Sequence, residues 1–144
     1  MLTDDERKAL VFNKVRRARE TWEETKGIIK SGYWYAAANR MYYACYYMTS
    51  ALLLKIMQSA HTHVGTIGLF GLHFVKTGIV SGYLENSTAN FLNLGKLAIM
   101  TIGRWSRKVM SGLWFRWQKC SSTLWRTLSE RTGICDKSFV NIIV

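Results

Sequence analysis

Residues 36–57 read "AAANRMYYACYYMTSALLLKIM", an apolar run that carries one Asn-Arg pair and two Tyr-Tyr doublets. Alanine, leucine and methionine dominate it and it contains neither proline nor glycine, so it reads as a helix. From 41 to 57 the run is interrupted by Thr49, Ser50 and Lys55. It falls short of the roughly 20 apolar residues that a membrane span needs. The reading is therefore a buried core helix, with no membrane segment. A buried tyrosine needs a partner for its hydroxyl, and the doublets are expected to fill a bundle core and an interface between two copies.

The flanks of this helix support an all-α fold. "TDDE" at 3–6 has the form of a capping box, in which the Thr3 hydroxyl takes the Glu6 amide and the Glu6 carboxylate reaches back. Acids at that end also suit the helix dipole. Leu10, Val11, Val15, Ala18, Trp22, Ile28 and Ile29 then recur at roughly helical spacing. Gly32 in "KSG" is expected to end this first helix. A second helix is expected from 33 to about 59. "HTH" at 61–63 is a polar break, and a third helix follows from about 64 to 76, apolar at Ile67, Phe70, Leu72 and Val75, ending at Thr77-Gly78. Short connections between long helices favour antiparallel packing in a bundle.

The chain has 144 residues and a net charge of +11, which brings nucleic acid forward as a partner, since Lys and Arg displace counterions from phosphates. The charge is uneven: Glu85 is the one acid between 84 and 129, a stretch with seven Lys or Arg. Cys45, Cys120 and Cys135 make an odd set without a C-x-x-C pair, and the opening "MLTDDERK" is charged rather than signal-like. Free thiols in a cytoplasmic protein are the expectation.

The stretches "ERKAL", "ARETWEETKGIIKSGYWYAAANRMYYACYYMTSALLLKIM" and "THVGTIGLFGLHFVKTGIVS" together resemble the HEPN domain family of prokaryotic helical proteins. The likeness runs from residue 6 to about 83, and "NRMYYA" after "SGYWYAA" is its most specific part. The resemblance implies an up-and-down bundle of about four or five helices, often a homodimer. It also implies a small nucleotidyltransferase as partner, the two forming a toxin–antitoxin-type pair that binds nucleotide, RNA or protein. Some members are metal-independent ribonucleases that use an Arg-x4–6-His motif in two copies facing each other across a dimer.

Arg40 matches the arginine of that motif. The window for the histidine holds Cys45, Tyr46 and Tyr47 instead, and a tyrosine, titrating near 10, is a poor general base. A binding site at Asn39, Arg40, Tyr43, Tyr47 and His63 is thus the leading expectation, with Arg40 the candidate for any catalysis and ribonuclease activity an alternative. An arginine there suits a phosphate or carboxylate, and acids further along the family pattern are its expected structural partners. A third reading is a nonspecific, basic nucleic-acid binder. His63 also reads as a polar contact at a helix start and His73 as a satisfied core residue. His61 and His63 alone do not make a metal site; no metal or cofactor is expected. "KVRRARE" at 14–20 reads as a solvated face.

After residue 83 the helical period fails, and four of the six tryptophans (Trp105, Trp114, Trp117, Trp125) fall between serines and glycines. Such disagreement between local signals speaks against a well-specified fold. Family proteins continue with a pattern like "RQTGDYDDW". Joining each codon's third base to the first two of the next lets "LGKLAIMTIG" at 94–103 read as that string, where degenerate third bases permit. The same shift turns "SRKVMSGLWFRWQKCSSTLWRTL" into an acidic "PESDVRPLVPMAEMFIHTVEDL". A one-base frameshift near codons 82–86 is therefore expected. Residues 1–83 form the HEPN-like helical region, and 84–144 are an out-of-frame or poorly specified extension. Its Trp/Arg interleaving, which imitates a single-strand binder, is then an artefact.

Overall fold

The computed structural model describes residues 3–78, in which three α-helices follow one another: α1 (Asp4–Lys30), α2 (Trp34–Lys55) and α3 (His63–Phe70). Among the described residues there is no strand, and no helix is long and apolar enough to cross a membrane. The composition shift, the out-of-frame reading, Cys120, Cys135 and the boundary at 83–84 lie outside the described residues.

The first helix starts as its capping box dictates. Thr3 Oγ1 accepts the Glu6 amide at 3.3 Å, and Glu6 Oε2 accepts the Thr3 amide at 2.8 Å. Pairs of Arg7 with Asp4, Lys8 with Asp5 (3.3 Å) and Lys26 with Glu23 (2.8 Å) line its outer surface. Pairs of this kind stabilise a helix by about 0.2–0.5 kcal/mol each. The stripe that α1 buries is Val15, Ala18, Thr21, Trp22 and Thr25, the spacing of one helical face. Leu10 stays exposed, and Val11, Ile28 and Ile29 are half-buried. Two threonines tolerate the core because their hydroxyls donate to carbonyls one turn back, Thr21 to Arg17 at 2.8 Å and Thr25 to Thr21 at 2.7 Å.

Small residues let α2 lie close against α1. Ala37, Met41, Ala44 and Ala51 recur at three, four and seven, all buried, and Trp22 of α1 packs with Met41 and Ala44, with Cys45 at the rim. Burying one side chain of that size contributes about 1.5–3 kcal/mol. The two helices run antiparallel: Glu24 of α1 meets Arg40 early in α2, and Lys14 meets Tyr47 two turns later.

Both long helices end in the same motif. At the end of α1 the Gly32 amide donates to the Ile29 carbonyl and the Tyr33 amide to that of Ile28, with Gly32 at φ 80°. At the end of α2 the Met57 amide donates to Leu54 and the Gln58 amide to Leu53, with Met57 at φ 60°. These paired bonds close a Schellman turn, which needs a left-handed residue just past the helix. The second helix therefore stops at Lys55 rather than near 59, because the backbone turns at Met57 although no glycine marks the place.

In α3, Thr62 is the N-cap: its hydroxyl accepts the Gly65 amide at 3.0 Å. The regular α-helix ends at Phe70, earlier than the period suggests, and a π-helical turn, Gly71–Val75, carries the chain on, the Lys76 amide reaching the Gly71 carbonyl at 2.9 Å. Phe70 and Phe74 stack at 5.4 Å and are both buried, whereas Leu72 is exposed. The chain leaves through Gly78 at φ 69°.

Candidate functional site

Arg40 and Tyr47 are seven residues apart on α2, so they share one edge of the helix, with Tyr43 between them. That edge borders α1. Arg40 Nη1 lies 3.6 Å from Glu24 Oε2, both side chains about half exposed (52% and 53%). At this separation the contact is an ion pair without a normal hydrogen bond. Lys14 Nζ stands 5.8 Å from the centre of the Tyr47 ring, within range of a cation–π contact. Asn39 is exposed beside Arg40.

The tyrosines do not behave as a uniform core. Only Tyr42 is buried; Tyr43, Tyr46 and Tyr47 are half-buried. Their spacing along α2 explains the difference, since residues one apart point about 100° away from each other. Tyr43 and Tyr47 are 6.1 Å apart between ring centres, Tyr46 and Tyr47 6.0 Å, and Tyr42 and Tyr43 meet edge to face at 5.5 Å. Together they make an aromatic ledge along one side of the helix.

His63, the first residue of α3, sits on that ledge. Its ring lies 4.3 Å from Tyr46, 5.5 Å from Tyr42 and 6.4 Å from Tyr43 between centres. Tyr42 OH and His63 Nδ1 are 2.6 Å apart. Burial raises the Tyr42 pKa above its ordinary value, with Tyr43 and Tyr46 adding to the effect. The raised pKa favours the protonated phenol, whose hydroxyl is placed to share a hydrogen bond with Nδ1.

Of the residues expected to form a site, Arg40, Tyr43 and Tyr47 are brought onto one edge, and Tyr43 also touches His63. The acids further along the chain that were expected as partners of Arg40 lie outside the described residues. Among the described residues its ion-pair partner is Glu24 of α1. Two contributors were not singled out from the pattern. Tyr42, one of four tyrosines in two doublets, is set apart by its burial and by the contact of its hydroxyl with His63 Nδ1, both made by the tertiary structure. Lys14, within the basic run "KVRRARE", is distinguished only by the register of α1 on α2. His73 is half-buried in the π-helical turn, where its carbonyl accepts the Thr77 hydroxyl at 2.7 Å. Among the described residues no three His, Cys, Asp or Glu side chains are grouped to hold a metal ion.

A UPF0332 protein from Thermotoga maritima is 44% identical to this chain over 66 residues. The match covers 46% of the chain, which spans half (50%) the length of that relative. No protein-family model and no solved structure matches.

Proposed function

We propose that this chain is a HEPN-like helical protein that pairs with a minimal nucleotidyltransferase in a toxin–antitoxin-type module. In this reading it contacts nucleotide or RNA through Asn39, Arg40, Tyr43 and Tyr47, and it works as a cytoplasmic homodimer. The "NRMYYA" resemblance, together with the likeness to a UPF0332 protein, supports the family. The observation that carries the binding site is the position of Arg40: a half-exposed guanidinium in a loose ion pair with Glu24, on the same edge as two half-buried tyrosine rings. A guanidinium suits a phosphate and an aromatic face suits a base.

The test is titration of the full chain with a fluorescein-labelled single-stranded oligoribonucleotide. The expected result is saturable binding without cleavage, weakened about tenfold by Arg40→Ala, the loss of roughly one charge-assisted hydrogen bond. Binding that Arg40→Ala leaves unchanged and that only follows salt would point to a nonspecific basic protein instead.

Metal-independent ribonuclease activity is the second reading, and one contact favours it. The His63 ring packs on Tyr46 at 4.3 Å, in the turn of α2 where the 45–47 window has no histidine of its own. Cleavage of the oligonucleotide in the presence of a chelator, lost in both Arg40→Ala and His63→Ala, would establish this reading over simple binding.

A further inference from the structure

We infer that Glu24 is an internal competitor for the anion site at Arg40, so that a phosphate must displace its carboxylate to bind. The inference rests on the reading of Arg40 as a phosphate contact and adds its regulation. Four observations support it. First, the Glu24 carboxylate already occupies the anion position at Arg40, Oε2 to Nη1 at 3.6 Å. Secondly, that distance exceeds a hydrogen bond and both side chains are half exposed, so the pair is worth little and separates easily. An exposed ion pair contributes at most about a fivefold factor in an equilibrium.

Thirdly, the two groups come from different helices. Glu23 pairs with Lys26 and Glu20 with Arg16, both along α1, where i,i+3 and i,i+4 neighbours meet whatever the tertiary structure does. Glu24 instead reaches across to α2. Fourthly, a cation and aromatic rings already lie beyond Arg40 on the same edge. Tyr47, two turns on and about 10 Å along the axis, carries Lys14 over its ring, and Tyr43 lies between them. A nucleotide whose phosphate replaced the Glu24 carboxylate would have a ring face within reach for its base.

Neutralising Glu24 should therefore tighten binding. The experiment uses the full chain, the labelled single-stranded oligoribonucleotide, and the variants Glu24→Gln, Glu20→Gln, Arg40→Ala and Glu24→Gln/Arg40→Ala. Glu20→Gln removes the same charge one turn away and so measures the general effect of a more basic surface. Thermal unfolding of each variant checks that these exposed substitutions leave the fold intact. The expected result is binding two- to fivefold tighter for Glu24→Gln than for Glu20→Gln. That excess should vanish when Arg40 is already alanine. Inorganic phosphate should also compete more effectively against the oligonucleotide in Glu24→Gln than in the parent chain.

If Arg40→Ala weakens binding but Glu24→Gln matches Glu20→Gln, the competitor role is wrong and the Arg40 site stands. If Arg40→Ala does not weaken binding, the proposed site fails and the competitor role with it. An excess that survives in the double variant would also overturn the inference, because Glu24 would then act on something other than Arg40.

Discussion

Tyr42 and His63 are brought together by the folded state, not by closeness in the chain. Twenty-one positions separate them, yet their side chains meet at 2.6 Å, with the phenol buried and the imidazole at the surface. Tyr42→Phe keeps the ring and deletes the hydroxyl. It should destabilise the fold by about 1 kcal/mol, the ordinary net worth of a hydrogen bond, measured as a lower urea midpoint at unchanged slope. The raised pKa of Tyr42 also sets a sign. An acid whose folded pKa lies above its unfolded value contributes stability that is complete below the unfolded value and is lost as pH rises past it. Unfolding free energy should therefore fall as pH climbs above 10.0, the ordinary tyrosine value, and Tyr42→Phe should reduce that fall. An identical alkaline profile in the variant would show that another group is responsible.

Helix ends are decided at the scale of the element. The two Schellman turns use the same pair of hydrogen bonds, one with glycine and one with methionine in the left-handed position. A side chain there crowds the following carbonyl, at about 1–2 kcal/mol. Met57 is 77% exposed, so little packing is lost when it is removed. Met57→Gly should stabilise the chain by about 0.5–1 kcal/mol, after the greater freedom of glycine in the unfolded chain is subtracted. Gly32→Ala should do the reverse by about 1 kcal/mol, since open space around the Cβ does not relieve the positive φ. Thermal midpoints moving in opposite directions would confirm that the two turns are equivalent. The end of α1 was legible because glycine marks it. The end of α2 was not, because methionine carries no turn signal and the apolar pattern continues past Lys55 unbroken.

For the whole molecule, the balance between the helical first half and the basic, tryptophan-rich second half is the main question, and it is one of coding. The proposal of a one-base shift near codons 82–86 predicts that resequencing the coding DNA across codons 80–105 will find one base gained or lost. Restoring it should yield "RQTGDYDDW" and an acidic final helix, which would bring further acids into the protein that carries Arg40. A confirmed frame would overturn this proposal and make the basic half the first candidate for contact with nucleic acid.

Sequence by itself determined the all-α character of the described part, the capping box at Thr3, the glycine stop of α1 and the polar break before α3. Each depends on residues within a turn or two of one another, where spacing and backbone geometry leave little choice. The family resemblance also marked Arg40, which matches the arginine of its motif. Tertiary structure alone decided which partner Arg40 takes, which of four tyrosines is buried, and that His63 rests on three of them. Those outcomes depend on the rotation and register of α1 and α3 against α2. A shift of one residue turns a side chain by about 100°, enough to exchange a buried tyrosine for a half-buried one while the helical pattern of the sequence stays the same.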